Sequence, residues 1–277
     1  MNPVAEAHDS PVIVVKYGGA AFDSSLLSSS AARNLATLAR GGRRVLLVHG
    51  GGRAVTEEAT RRGLVTRFVD GLRATDREML DVVRTVMVGR LNKDLVGQLG
   101  RSGIRAIGLS GEDAGLIRAR TFRPGGGTVD LGYVGEPAEV RTDVLHMVWR
   151  AGMVPVVASV AADEAGVPHN INADSAAAAL AAALCAERLV YVTDVDGLLR
   201  DPADPKSRIV RLSSRELDEL LRNQPPKDGM LPKLTAALDA LRSGVRQVRI
   251  IGSRQEDAVL LAATTDTTVG TTFYGHE

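Results

Sequence analysis

Short apolar runs rich in β-branched residues alternate along this chain with longer segments whose apolar positions recur at helical spacing. The run 13–17 (Ile-Val-Val-Lys-Tyr) reads as a buried strand closed by Gly18-Gly19, and 44–48 as a second strand closed by His49-Gly50-Gly51-Gly52. A continuous apolar run that stops at glycines is the pattern of a strand covered on both faces. Helical patterns follow each, the second over 54–62. Residues 76–99, with Met79, Val82, Val83, Val86 and Leu91 at helical spacing, predict one long helix. A third strand is expected over 106–110, a β-hairpin region over 117–140 broken by Pro124-Gly125-Gly126-Gly127, a helix over 142–151 and an apolar strand over 154–159. A small-residue helix follows over 176–186, then a strand over 189–192, a loop over 200–208 with Pro202 and Pro205, and a helix over 213–222 with a serine cap and Glu216 in its first turn. A loop over 223–229, a helix over 233–243, a strand over 247–251 and a final helix and strand complete the chain. This alternation predicts an α/β fold, a mainly parallel sheet between helices joined by right-handed crossovers.

Composition narrows the function. With 277 residues, 44% apolar and 24% charged, the chain can bury a full core as one large domain or two lobes. A net charge of +1 supplies no basic footprint for nucleic acid, and 3% aromatic residues are too few for base-stacking platforms. The single cysteine, Cys185, excludes an internal disulfide and a cysteine-based metal site. Its place in the alanine-rich segment predicts a small core residue. The five histidines show no metal-ligand spacing. Residues 1–11 have neither the basic start nor the apolar stretch of a signal peptide and read as a flexible tail. No apolar run is long enough to span a membrane, so a cytoplasmic protein is expected.

The densest polar chemistry lies at 169–174 (His-Asn-Ile-Asn-Ala-Asp), directly before the small-residue helix. Asp174 is expected there as a cap, because a carboxylate accepts from the orphan N–H groups of a first turn. Asn170 and Asn172 add donors and acceptors beyond what capping needs, and such a cluster can grip a small polar substrate. The glycines that end the first two strands let backbone N–H groups approach an oxyanion or phosphate with no Cβ in the way. They fall at strand carboxyl ends, where open α/β sheets bind ligands. Neither cluster is a Walker loop or a Gly-x-Gly-x-x-Gly fingerprint. Lys16 lies inside an apolar strand, where an unpaired ammonium is costly; beside glycines it can point into a cleft and meet an anion. Lys233 follows Pro232 at a helix start, a place that helix polarity reserves for carboxylates unless a polyphosphate sits there too. A polar loop, a tight turn and a solvated lysine would each explain one of these features taken alone.

Val15-Lys16-Tyr17-Gly18-Gly19-Ala20, Val48-His49-Gly50-Gly51-Gly52, Gly71-Leu72-Arg73-Ala74-Thr75-Asp76, Gly89-Arg90-Leu91-Asn92-Lys93, Gly108-Leu109-Ser110-Gly111, Asn170-Ile171-Asn172-Ala173-Asp174, Thr193-Asp194-Val195 and Gly229-Met230-Leu231-Pro232-Lys233 follow one another in a specific order and spacing. By these motifs, residues 12–272 resemble the amino acid kinase family, and within it the acetylglutamate kinases. The resemblance implies a three-layer αβα sandwich around a mainly parallel sheet, with a β-hairpin insertion in the N-terminal lobe. Residues 12–173 would form that lobe, which binds the acyl amino acid and dimerises, and residues 174–277 a C-terminal lobe that binds ATP. The implied reaction is ATP-dependent phosphorylation of the side-chain carboxylate of N-acetyl-L-glutamate to N-acetyl-L-glutamyl 5-phosphate, in arginine biosynthesis. Such transfer needs positioning and charge neutralisation more than covalent chemistry, and no general base, since the nucleophile is already an anion. Lys16 and Lys233 match the lysines that neutralise the moving phosphoryl group, and Asp174 matches the carboxylate that holds both. Gly18, Gly19, Gly50 and Gly51 match its backbone donors. Gly51, Arg73, Asn170 and Asn172 match the substrate positions, with Arg73 and Asn170 on the α-carboxylate. Thr193, Asp194, Lys206 and Met230 fall where the family holds nucleotide. Mg2+ would be held by the ATP phosphates and water, with no direct protein ligand.

Four stretches depart from the family pattern. Lys227-Asp228-Gly229 stands where many members carry Gly-Gly, Ile251-Gly252-Ser253-Arg254 replaces Ile-Asp-Gly-Arg, Cys185 stands where glycine is frequent, and residues 262–272 are atypical. Arginine-regulated hexameric members carry a helical N-terminal extension; about eleven polar residues before the first strand are too few for one, so a homodimer insensitive to arginine is expected. The departures leave room for a kinase that acts on glutamate or 2-aminoadipate carried by a small acidic protein, in lysine or specialised-metabolite pathways. Arg53, Arg61, Arg62 and Arg67 could form its basic docking patch, or simply a solvated helix face. A non-catalytic regulatory domain or nucleotide sensor on the same fold is the remaining alternative, and retention of both lysines with Asp174 argues against it.

Overall fold

The computed structural model describes residues 10–18, 22, 27–124, 129–201, 203–226, 229–267 and 269–275. The first half runs β1 (Val12–Tyr17), α1 (Ser29–Arg40), β2 (Arg44–His49), α2 (Gly52–Arg61), β3 (Phe68–Val69), β4 (Leu72–Arg73), α3 (Arg77–Arg84), α4 (Asn92–Arg101), β5 (Ala106–Ser110), β6 (Ile117–Thr121), β7 (Val134–Val140), α5 (Asp143–Arg150), β8 (Val154–Ala158), β9 (Val160–Ala162) and β10 (Pro168–Ile171). The second half runs α6 (Ala173–Ala183), β11 (Arg188–Thr193), β12 (Arg211–Ser213), α7 (Ser214–Asn223), α8 (Met230–Arg242), β13 (Gln247–Gly252), α9 (Ala258–Thr264) and β14 (Thr271–Tyr274). Eight strands form one sheet in the order β12-β14-β13-β11-β1-β2-β8-β5. Every neighbouring pair is parallel except β13 and β14.

The sheet is covered on both faces, which is why its central strands are apolar along most of their length. Period-two alternation sends Val12 and Val14 of β1 to a core built with α6 and α8. It sends Ile13, Val15 and Tyr17 to a second core built with α1, α4 and α9. Lys16 therefore shares a face with Val14, the face covered by α6 and α8. Alanines at 176, 177, 181, 236, 237 and 240 are buried between these two helices and the sheet. Their small side chains let the helices pack closely, so groups at the two helix starts can meet.

Several expectations need correction. The helix expected over 76–99 is α3 and α4 joined through a π-helical segment, Thr85–Leu91. Val83, Met87, Leu91, Leu95 and Leu99 are all buried. A repeat of every fourth residue drifts by about 40° per step around an α-helix, and the wider π turn absorbs part of that drift. The polar stretch after β8 holds two strands not foreseen, β9 and β10, which close a small four-stranded barrel with the hairpin β6–β7. The two strands are only three and four residues long and form a short hairpin with each other, and their further pairing to β6 and β7 joins segments distant in sequence. Gly125, Gly126 and Gly127 lie outside the described residues. The alanine-rich helix is shifted forward and ends before Cys185, which is exposed rather than buried. Cys185 has φ of 46°, the left-handed turn that follows many helices and favours glycine. The 200–208 loop holds one 3-10 turn, Pro205–Ser207. Of the two serines expected as candidate caps, Ser213 and Ser214, it is Ser213 that caps α7, reciprocally with Glu216. Among the described residues no helix is long and apolar enough to cross a membrane.

Candidate active site

The site begins with a helix cap. Asn172, not Asp174, caps α6: its Oδ1 accepts from the backbone N–H of Asp174 at 2.9 Å and of Ser175 at 3.1 Å. Asp174 is thus relieved of the capping role expected of it, and its carboxylate turns to other partners. Its Oδ1 lies 2.9 Å from Nζ of Lys16 and 2.9 Å from Nζ of Lys233. Lys16 comes from the end of β1 and Lys233 from the first turn of α8, so three elements distant in sequence meet at one oxygen. All three side chains are buried, at 6–7% exposure. Tyr191 on β11 holds the base of the cluster, its hydroxyl donating to the Asp174 backbone carbonyl at 3.1 Å while its ring lies under the Lys233 ammonium.

Electrostatics here is lopsided: one carboxylate faces two ammoniums. Burial alone would raise the Asp174 carboxyl, but the charges of Lys16 and Lys233 overcome it and hold it at about 2. Burial and the neighbouring Lys16 charge lower Lys233 to about 8, with Asp174 and Asp194 opposing the shift. Two ammoniums meet one carboxylate at a buried place beside the cavity, an arrangement suited to an anion.

The glycine turns complete the wall. A Cβ on Gly18 would lie 3.3 Å from Nζ of Lys16 and 3.6 Å from the Gly50 nitrogen, so these groups converge. A Cβ on Gly51 would come within 2.7 Å of Met87 and 2.8 Å of Leu91; only glycine fits against the π-helical segment. Gly19 lies outside the described residues. Lys16, Gly50, Gly51, Arg73, Asn170, Asn172 and Asp174 line one cavity of about 260 Å3. Arg73 is buried over the Phe68 ring and donates to the Gly52 carbonyl and Thr56 hydroxyl, each at 2.7 Å, and to Thr66. Among the described residues no carboxylate pairs with it, so a buried guanidinium faces the cavity without a counter-ion. Asn170 is tied to it: its amide donates to the Thr75 hydroxyl at 3.1 Å, which donates to the Arg73 carbonyl at 2.8 Å.

Thr193 and Asp194, at the end of β11, are hydrogen-bonded to each other at 3.0 Å, and Asp194 is close enough for its charge to reach Lys233. Met230 starts α8 and packs partly against the core. Lys206 is exposed on the 3-10 turn, its backbone N–H held by Asp204. None of these four lines the cavity that holds Arg73. One cavity residue was missed from sequence. Ser159 follows β8, and its buried hydroxyl finds no hydrogen-bond partner among the described residues. It ends an apolar run with a polar residue, the same signal that singled out Lys16. Gly252, one of the departures, ends β13 where a Cβ would collide with the Asp196 carboxylate.

Fold and site together define an α/β protein that gathers cationic side chains and glycine backbone around a cavity at the carboxyl ends of a parallel sheet. The chain matches the model of the amino acid kinase family over residues 11–252, and it belongs to that family. Acetylglutamate kinase of Symbiobacterium thermophilum is 42% identical over 273 residues, spanning 97% of this chain and 93% of the relative. Acetylglutamate kinase of Synechocystis sp. is 42% identical over 258 residues, spanning 93% and 86%. Among solved structures, smu.665 from Streptococcus mutans matches with a TM-score of 0.79 at 25% identity, covering 95% of this chain and 98% of that one.

Proposed function

We propose that the chain phosphorylates the side-chain carboxylate of N-acetyl-L-glutamate with MgATP, the reaction implied by the name of relatives 42% identical to it. The observation that carries the reading is the single Asp174 oxygen gripping two buried lysines beside the glycine turns. An oxygen of the acceptor carboxylate forms a bond to the γ-phosphorus while the bond to the bridging oxygen breaks, and ADP departs with that electron pair. Lys16 and Lys233 neutralise the phosphoryl oxygens as charge spreads over them, and the backbone N–H groups of Gly18, Gly50 and Gly51 donate to the same oxygens. Asp174 fixes both ammoniums in place. Arg73, a buried cation with no counter-ion among the described residues, takes the substrate α-carboxylate together with Asn170. Asn172 contributes through its amide, since its oxygen is committed to the cap. Nucleotide lies along Thr193, Asp194, Lys206 and Met230, and Mg2+ arrives with it as part of the substrate. The protein works as a homodimer in the cytoplasm, which sedimentation and fractionation check.

The carrier-protein reading finds less support. Glu57 pairs with Arg53, and Glu58 sits among Arg61, Arg62 and Arg90 at 2.8–3.9 Å. Glu57 and Glu58 offset part of the positive charge around α2 within the chain, which weakens its pull on an acidic partner without removing it. The test is hydroxamate trapping of acyl phosphate with MgATP and N-acetylglutamate, N-acetyl-aminoadipate or free glutamate. Turnover with N-acetylglutamate alone is expected. A folded protein that binds ATP and turns over none of the three would overturn the proposal.

A further inference from the structure

Beneath the glycine turn, His49 ends β2 with no exposed surface. Its Nδ1 lies 2.9 Å from the carbonyl oxygen of Gly50, and its Nε2 lies 3.1 Å from Nδ2 of Asn92, also fully buried. The orientation of that amide is set by its other partners. Nδ2 faces the carbonyls of Val156 at 2.9 Å and Leu109 at 3.2 Å, and Oδ1 accepts from Lys93 at 3.2 Å. An amide nitrogen only donates, so Nε2 of His49 accepts and the ring proton sits on Nδ1, donating to Gly50. Burial, with help from the Lys93 charge and against the Gly50 hydrogen bond, lowers the ring to about 4 and keeps it neutral.

The Gly50 carbonyl and the Gly51 N–H belong to one planar peptide unit and point in opposite directions. Glycine peptides rotate more freely than any other, so the Gly50–Gly51 unit has no intrinsic reason to hold one orientation. A donor fixed against the carbonyl side supplies that reason and aims the N–H away from the core, and both glycines line the cavity. We propose that His49, tethered by Asn92, is a positioning residue that orients the Gly50–Gly51 peptide so that its N–H meets the transferring phosphoryl group. The proposal rests on the phosphotransfer reading above and adds to it a residue outside the reacting shell.

Two conservative variants separate this role from that of a satisfied core histidine. His49→Asn keeps a donor at the δ position and gives up the acceptor toward Asn92. His49→Gln keeps an acceptor at the ε position and gives up the donor toward Gly50. Each forfeits one buried hydrogen bond, so similar drops in Tm are expected. The Asn variant is expected to retain most of its turnover. The Gln variant should lose about 10- to 100-fold in kcat, with little change in KM for N-acetylglutamate, on the scale of a lost oxyanion donor. Equal kcat in the two variants, or losses that simply follow Tm, would overturn the proposal. If the Gln variant fails to fold, His49→Met takes its place: it fills the site and offers no donor to the Gly50 carbonyl, and an unchanged kcat there overturns the proposal equally. Calorimetric titration with MgADP and aluminium fluoride reads the same peptide without turnover. About tenfold weaker binding by the Gln than by the Asn variant supports the role even if the wild-type protein phosphorylates none of the acceptors offered, and equal binding refutes it.

Discussion

At the scale of single residues, the site is governed by charges that burial makes expensive. Lys16 and Lys233 are each 6% exposed and share one carboxylate, a sum that an incoming anion improves. Lys16→Ala or Lys233→Ala should lower kcat by about 100-fold or more while the fold persists, measured by steady-state kinetics with circular dichroism as control. Near-normal turnover would remove that lysine from the mechanism. Lys233 also sets a pH limit. With its value lowered to about 8, mainly by burial, the ammonium is lost as pH rises through 8, and kcat/KM should fall there with one proton. Its contribution to stability has the opposite sign. A lysine below its unfolded value of about 10.4 is a cost while charged, relieved as pH climbs from 8 toward 10. Activity and this part of stability should therefore diverge above pH 8, which parallel rate and melting profiles would reveal. Arg73→Ala should chiefly raise KM for the acyl amino acid, and an unchanged KM would reassign its cavity.

At the scale of elements, α6 shows how one helix serves two ends. Asn172 holds its start, which frees Asp174 for the lysines. Its far end passes into a left-handed residue, Cys185 at φ of 46°. A side chain in that conformation costs about 1–2 kcal/mol, part of which glycine returns as unfolded-chain entropy. Cys185→Gly should stabilise the protein by about 0.5–1 kcal/mol, read from the urea midpoint. A lower midpoint would show that the thiol makes a contact worth more than the strain. The π-helical segment Thr85–Leu91 is the other element with a local purpose: it sets Met87 and Leu91 against Gly51 and delivers the buried Asn92 to His49.

At the scale of the whole molecule, the two proposed lobes share one sheet. β11, from the second half, lies beside β1, from the first, over five registered pairs from Ile13–Arg188 to Tyr17–Val192. The core under α6 and α8 draws residues from both halves. Cutting between them would strip β1 of a neighbour and expose apolar surface, so the lobes should unfold together. Calorimetry is expected to show one transition with equal calorimetric and van't Hoff enthalpies; two resolved transitions would assign each lobe its own stability.

The apolar runs closed by glycines were enough to place the central parallel strands. Ser213, Ser214 and Glu216 were enough to place a capped helix start there, though not to choose between the two serines, because both signals are local and depend only on burial and hydrogen-bond chemistry. The oddity of a lysine in an apolar strand and of another at a helix start was legible for the same reason: each breaks a rule that burial or polarity enforces nearby. What the sequence could not decide was who meets whom. That Asn172 rather than Asp174 caps α6, and that Cys185 faces solvent, turned on shifts of two or three residues in a helix boundary. That β9 and β10 close a barrel with β6 and β7, that Ser159 and Arg73 open onto one cavity, and that His49 reaches Asn92 turned on pairings across tens of residues. Such pairings are chosen by the packing of the whole sheet and its two helical layers, and no window of sequence contains the energy that selects them.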